Sequence, residues 1–242
     1  MSKFNSAIKN NALTLGLMVW LGYLLARSIL SIFIFPDTND LSDHFRQDCA
    51  VTIFRILCLA SIVWLYLEKY GKIEIAKRER RSRFLITTIA YALVFSTFLE
   101  QGLKSVTQLA SWQLGLFIFN DLIVAMNEEL SFRGFFLKAF TEKYGRFKAE
   151  WISIGLFTAM HIAYQPTYRL PIIFLYGMAY TRLRTLGASL LALIVIHWAI
   201  DVSVDTFYGG TYYVNPSITL SIGVLVIANL VLWTRPLEMR EA

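Results

Sequence analysis

The sequence predicts an all-α protein that crosses a membrane about eight times, and three observations carry this prediction. The 242 residues are 56% hydrophobic and have a mean hydropathy of +0.53. Charged residues make up 17% of the chain, against about 25% in ordinary soluble domains. The apolar residues are gathered into runs of membrane-spanning length, and most basic residues lie between these runs. We expect one transmembrane domain over 1–242, with a polar site buried among the C-terminal core helices.

The predicted spans follow one another with short connections. The first run is longer than the apolar part of a signal peptide, and no small-residue cleavage site follows it, so we interpret it as a transmembrane helix. Arg182 and Arg184 mark the short separation between the sixth and seventh runs, so counts of seven or nine spans stay open. In order, the runs cover 12–35, 50–67, 84–99, 108–127, 151–165, 171–187, 188–204 and 217–234.

The basic residues predict the orientation of the chain. Segment 68–83 holds seven Lys or Arg residues and segment 138–148 holds four, whereas segment 36–48 holds four Asp and one Arg. Because Lys and Arg concentrate in cytoplasmic loops, both basic segments and both termini are expected in the cytoplasm, with the protein in the plasma (inner) membrane. The net charge of +6 is therefore explained by topology and by contact with anionic lipid, and we expect no nucleic-acid partner.

Several polar residues within or beside the apolar runs carry little functional signal. Cys49 and Cys58 have neither the number nor the spacing of a disulfide framework or a metal site. Arg27 and Arg55 are expected to snorkel or to pair with an acidic group, and the sequence does not identify that partner. The cysteines are interpreted as incidental and the two arginines as structural.

The stretch Asn127 to Arg133 places two adjacent carboxylates at the end of the fourth run. An ionised side chain at membrane depth is costly unless it is paired or solvated, so such carboxylates indicate a functional site. Glu129 and Arg133 are four residues apart and can form an ion pair on one helix face, whereas Glu128 is directed elsewhere. The alternative is that both carboxylates are the first solvated residues after a span. A fourth span that runs on to Phe136 would bring Glu128 to the depth of the histidines.

Two of the three histidines lie inside apolar runs, at His161 and His197. A single buried histidine is most often a packing residue with a satisfied hydrogen bond. His197 and Asp201 are again four apart, so the carboxylate can orient the imidazole. Together with the Glu pair, these residues indicate a polar site shared by three helices.

Such a group suits the activation of a water molecule for attack on a carbonyl carbon, and two routes fit. In the first, a buried carboxylate acts as general base while a histidine assists and the remaining groups stabilise the oxyanion. In the second, Glu128, His161 and His197 hold a zinc ion that keeps an open position for water. The sequence contains no His-Glu-x-x-His motif, so such a metal site would be assembled from three separate helices.

Three ordered motifs resemble those of a known family. They are Glu-Glu-x-x-x-Arg at 128–133, Phe-x-x-x-His at 157–161 and His-x-x-x-Asp at 197–201. In this order on apolar segments they are similar to the motifs of the CAAX-protease and bacteriocin-processing family of intramembrane endopeptidases, which includes the Ras-converting CAAX endopeptidase. The resemblance covers about residues 115–205, the expected catalytic core, whereas spans one to three, within 1–110, are similar only in hydropathy.

The resemblance implies a role for each motif residue. Glu128 would be the general base, His161 would help to position the water, and His197 with Asp201 would form an oxyanion-stabilising or second water-binding pair. Many members carry Asn at the last of these positions, where this chain has Asp201. The family does not decide between a metal-free and a metal-dependent site.

The function implied by the resemblance is hydrolysis of a peptide bond in a membrane-associated protein or peptide, within the lipid bilayer. The alternative is a transporter, or a binding protein of the bacteriocin-immunity type, that uses the same polar cluster without hydrolysis. Many secondary transporters contain internal repeats, and the sequence shows none. This favours the endopeptidase.

Overall fold

The computed structural model describes residues 3–30, 41–75, 88–94, 111–162, 165, 167–208 and 218–234. These residues are mostly helical and include no β-strand, which confirms the all-α prediction. Residues 88–94 are a helical piece of the third predicted span. The other elements are α1 (Lys3–Ile29), α2 (Leu41–Tyr70), α3 (Ser111–Glu128), a π-helix (Glu129–Phe136), α4 (Leu137–Tyr144), α5 (Arg146–His161), a 3-10 turn (Thr167–Arg169), α6 (Leu170–Thr185), α7 (Leu190–Tyr208) and α8 (Ile218–Trp233).

The helical segment that corresponds to the fourth predicted span differs from its prediction. Its apolar run ends at residue 127, yet α3 continues through the π-helix into α4 and stops at Tyr144. Gly145, with φ of +79°, provides the backbone conformation that ends the helix. The charged residues do not end the helix earlier because Glu129 and Arg133 neutralise each other inside it.

Two described helical segments, Ala7–Ile29 and Ala50–Tyr70, have the length and hydropathy needed to cross a bilayer. Leu190–Ser203 and Leu220–Trp233 are apolar but shorter. Residues 31–40 and part of the third predicted span lie outside the described residues. The count of eight spans therefore stays a prediction.

The surface of α1 supports placement in a membrane. Met18, Leu21 and Leu25 are exposed and follow one another at helical spacing, while Trp20 and Tyr23 between them are buried. An apolar stripe of this kind would be unfavourable in water, whereas lipid tails solvate it without cost. The buried residues elsewhere include many charged side chains. The exposed apolar stripe and the buried charged residues together support placement in a membrane.

The chain divides into two compact units, and each is described by itself. The first comprises Met1–Glu74 and Val106–Ser153, and the second comprises Ile75–Ser105 and Ile154–Ala242. The boundary after Ser153 falls within α5. The prediction of a single domain over 1–242 stays a prediction.

In the first unit, α2 packs against α1, α3 and the π-helix. Aromatic rings fill these contacts: the ring centroids of Trp20 and Phe132 are 4.9 Å apart, and those of Tyr66 and Phe135 are 6.3 Å apart. The π-helix is thus packed on two sides by helices from the N-terminal part of the chain. In this unit, α3 and the π-helix share one core with the N-terminal helices α1 and α2.

A buried polar network identifies partners for the two arginines inside the first spans. Arg55 Nη1 donates to Asn120 Oδ1 at 2.7 Å, and its Nε donates to the Tyr23 hydroxyl at 3.2 Å. The Thr52 hydroxyl donates to the same Asn120 oxygen. Arg27 Nη1 also reaches the Tyr23 hydroxyl, at 3.5 Å. These bonds link α1, α2 and α3, which agrees with the structural interpretation of both arginines.

We expect Gly16→Ala to lower the free energy of unfolding by about 1–3 kcal/mol, because the added methyl group overpacks the core. A Cβ atom at Gly16 would lie 2.5 Å from Phe135 Cε1 and 3.2 Å from Phe136 Cε1. Gly22, in the same helix, has no atom within 4 Å of its Cβ position and is the matched control. Gly22→Ala should leave stability unchanged or raise it. Unfolding of both variants in detergent micelles measures the difference, and equal stabilities would contradict this close contact.

In the second unit, α6 packs against α7 and α8. Asn229 Nδ2 in α8 donates to the carbonyl of Leu175 at 3.0 Å and joins α8 to α6. Arg182, predicted beside a loop, is buried in the last turn of α6, where its Nε donates to the carbonyl of Leu232 at 3.2 Å. The guanidinium lies 5.1 Å from the Trp233 ring centroid. The arginine is buried because it satisfies a carbonyl at the end of α8.

Candidate active site

Glu128 and Glu129 lie where α3 passes into the π-helix. Glu128 is the last residue of α3, and Glu129 is the first of the eight-residue π-helix, whose side chains are all buried. π-Helical turns are uncommon and occur frequently at functional sites. The local backbone at the predicted site is therefore unusual in a way that the sequence pattern did not reveal.

The structure contains the predicted ion pair on this segment. Arg133 Nη1 donates to Glu129 Oε1 at 2.9 Å, and both side chains have 0% relative exposure. Glu128 is only 6% exposed. The alternative that both carboxylates are the first solvated residues after a span is therefore wrong. The reason is that the helix continues to Tyr144, so its exposed end lies well beyond the Glu pair.

Two contacts support the π-helix and the end of α3, and neither was predicted from the sequence. The Asn127 side chain at the end of α3 lies beside the Cys58 thiol in α2. The Ser153 hydroxyl donates to the carbonyl of Phe132 at 3.2 Å. The position of Asn127, a polar residue next to the Glu pair in an apolar run, could have indicated that its side chain has a partner. Nothing in the sequence related Ser153 to Phe132. Cys58, interpreted as incidental, is part of this support.

In the second unit, His161 is held by its own helix. Its Nδ1 atom lies 2.7 Å from the carbonyl oxygen of Phe157. A carbonyl oxygen accepts and cannot donate, so Nδ1 carries the hydrogen in this bond. In the neutral imidazole the lone pair is then at Nε2, the nitrogen that can accept a hydrogen bond from water or bind a metal ion.

His197 and Asp201 form the predicted contact along α7. His197 Nε2 lies 3.4 Å from Asp201 Oδ2, and the Asp201 side chain is partly exposed. Because the carboxylate faces Nε2, the other ring nitrogen, Nδ1, is the one that can act elsewhere. The two histidines therefore use opposite nitrogens for their supporting contacts.

Aromatic rings surround both imidazoles. The Phe157 centroid lies 4.7 Å from that of His161 and 6.4 Å from that of His197. Tyr180 in α6 stacks on His197, with centroids 5.2 Å apart and ring planes 26° apart. The family-like motif singled out Phe157, but no pattern in the sequence singled out Tyr180. The structure thus joins His161 and His197 through one phenyl ring.

The six predicted site residues are divided between the two units. Glu128, Glu129 and Arg133 belong to the first unit, and His161, His197 and Asp201 belong to the second. Within either unit, the described residues hold no group of three or more His, Cys, Asp or Glu side chains able to bind a metal ion. The predicted zinc ligands come from both units, so the zinc set and the meeting of Glu128 with the histidines stay predictions.

Comparison with known proteins supports the same segment. Residues 110–203 match the family model described as Rce1-like, that is, type II CAAX prenyl endopeptidase Rce1-like. Comparisons with curated proteins and with solved structures gave no match. The matched segment contains all three motifs, at 128–133, 157–161 and 197–201. Residues 110–203 are therefore similar to the CAAX-protease and bacteriocin-processing family of intramembrane proteases, which supports the resemblance of the three motifs to that family.

Proposed function

We propose that this protein is an intramembrane endopeptidase in which Glu128 is the general base for hydrolysis of a peptide bond. The observation that carries the proposal is the pair of adjacent buried carboxylates at the start of the π-helix, one of which is bound by Arg133. Burying two carboxylates at membrane depth is costly. Arg133 binds Glu129, so Glu128 is the carboxylate that we assign to the reaction.

In the proposed reaction, the Glu128 carboxylate takes a proton from water while the water oxygen attacks the carbonyl carbon of the substrate. His161 accepts the other hydrogen of this water at Nε2, because its Nδ1 hydrogen is donated to Phe157. As the tetrahedral intermediate collapses, the carbon–nitrogen bond breaks, and the proton held by Glu128 passes to the leaving amine.

His197 is assigned to the oxyanion. With Nε2 facing Asp201, the protonated ring donates from Nδ1 to the oxygen on which negative charge develops. The Asp201 carboxylate stabilises the imidazolium and sets the plane of the ring. Asp201 supplies a negative charge that an Asn at this position would lack.

For the substrate, we propose a protein or peptide held at the membrane by a lipid-modified C-terminal tail. The matching family model describes CAAX prenyl endopeptidases. A substrate tethered to the bilayer reaches a site at membrane depth without an aqueous channel for the whole protein. The reaction class assigned to Glu128 does not depend on this choice.

Two measurements test the proposal. In the first, a quenched fluorescent peptide with a farnesylated CAAX tail is incubated with the purified protein in liposomes, and hydrolysis is compared between wild type and Glu128→Gln. In the second, new peptide termini are identified by mass spectrometry in membranes of cells that express either form. Termini produced by wild type alone would support the proposal. If wild type produces none in either measurement while Glu128→Gln keeps the biological activity, the protein is a binding protein or transporter.

We further propose that both termini and the basic segments 68–83 and 138–148 face the cytoplasm from the plasma membrane. In a chain without Cys49 and Cys58, Ser82→Cys should resist a membrane-impermeant maleimide in whole cells and react after permeabilisation. Thr38→Cys, in the predicted external loop, is the control that should react from outside. Both positions lie outside the described residues. Strong external labelling at position 82 would reverse the topology.

A further inference from the structure

Helix α6 carries none of the three motifs, yet its side chains reach the ring of His197. Tyr180 stacks on this imidazole as described, and Tyr176, one turn earlier, stacks on Tyr180 with centroids 6.0 Å apart and planes 28° apart. The Tyr176 hydroxyl donates to the carbonyl of Leu93 at 3.2 Å, which fixes the outer end of the stack. Both tyrosines are buried. The three rings form one column from residues 88–94 to α7.

The same helix also controls the ring of Phe157. A Cβ atom at Gly177 would lie 3.0 Å from Phe157 Cδ1 and 3.6 Å from its Cε1. A methyl group at this point of α6 would press against the phenyl ring, which would have to shift by a few tenths of an ångström. Because Phe157 contacts both imidazoles, its position affects both histidines.

We infer that α6 is the positioning element of this site, with Tyr180 setting the ring of His197 and Gly177 setting, through Phe157, the rings of His161 and His197. The inference rests on the proposed function, since it assigns these residues to the same reaction. A polar contact fixes one nitrogen of an imidazole but leaves the ring able to turn about that contact. An aromatic face against the ring removes this remaining freedom.

Each histidine thus has one polar support on its own helix and one aromatic support. For His161 these are the carbonyl of Phe157 and the Phe157 ring. For His197 they are Asp201 and Tyr180, with Phe157 at the ring edge. Tyr180 acts through its ring face, so phenylalanine should replace it, whereas an aliphatic side chain of similar bulk should not.

The test of Tyr180 is an NMR measurement on the full chain in detergent, with isotope-labelled histidine. The chain has three histidines, so the signals of His161 and His197 are assigned by removing each residue in turn. In wild type and in Tyr180→Phe, the aromatic face should shift the carbon-bound ring protons of His197 upfield. In Tyr180→Leu this shift should be lost, and kcat for the farnesylated CAAX peptide should fall about 100-fold with little change in KM. Tyr91→Leu, at an exposed position, is the control.

Gly177→Ala gives a second, independent test, which remains usable if Tyr180→Leu does not fold. The added methyl should displace Phe157, move the ring signals of both His161 and His197, and lower kcat about 10-fold. Gly155→Ala, in the helix of Phe157, has no atom within 4 Å of its Cβ position and should change neither.

The outcomes separate this inference from the proposed function. Unchanged histidine signals and unchanged kcat in folded Tyr180→Leu or Gly177→Ala would overturn the inference even if wild type cleaves the peptide. If instead the signals move as expected but wild type cleaves no substrate, the positioning role stands and the endopeptidase assignment falls.

Discussion

Glu128→Gln is expected to lower kcat for peptide hydrolysis by about 10²- to 10⁴-fold while the protein stays folded and inserted in the membrane. The amide keeps the shape of the carboxylate and cannot take a proton from water. The ion pair between Glu129 and Arg133 is left in place, so the π-helix keeps its main polar support. The measurement is hydrolysis in liposomes, with the unfolding temperature as the control. Wild-type kcat in this variant would remove the general-base role from Glu128.

Loss of either histidine should act on the same step. His161→Ala and His197→Ala are each expected to slow hydrolysis strongly, and the triple variant with Glu128→Gln should be no slower than the slowest single variant. Residues that act as one unit show this non-additivity, because the first loss already abolishes the shared step. If the fold-losses in the rate of hydrolysis multiply in the triple variant, the three residues act independently.

A chelator separates the two routes that the residues allow. If Glu128, His161 and His197 hold zinc, a chelator should abolish hydrolysis, and the metal content of the purified protein should fall in both histidine variants. If Glu128 acts as a base without metal, a chelator should leave kcat unchanged. Metal analysis of the same samples shows which case applies.

Local spacing predicted the polar pairs of this protein well. Glu129 with Arg133 and His197 with Asp201 are each four residues apart on one helix, and both pairs are in contact. Such contacts depend only on helical geometry, which sequence specifies directly. The end of the long helical segment that begins with α3 was predicted less well. In sequence, a charged pair inside an apolar run looks the same whether water solvates it or the two charges neutralise each other.

Contacts between helices could not be predicted in the same way. Tyr180 and His197 meet because α6 and α7 pack with particular rotations about their axes, and no periodicity in one helix specifies the rotation of another. Gly177 is one of 13 glycines, and only the position of Phe157 shows that a larger residue there would press against its ring. The motif residues were therefore identified from sequence, while the residues that hold them in position required the structure.

Removal of Arg133 is expected to produce the largest loss of stability. Arg133→Met leaves the Glu129 carboxylate buried without this partner, and breaking a buried pair in this way costs about 3–5 kcal/mol. The free energy of unfolding in detergent and the folded yield from membranes measure the effect. The double variant Glu129→Gln with Arg133→Met should recover much of the stability, because it also removes the buried charge.

The control is an ion pair of nearly equal length in a different environment. Lys69 Nζ and Glu142 Oε2 are 3.0 Å apart, but the two side chains are 20% and 47% exposed. Lys69→Met should therefore cost at most about 1 kcal/mol, since water solvates the remaining carboxylate. If Arg133→Met costs no more than Lys69→Met, Arg133 is not the group that stabilises the Glu129 carboxylate.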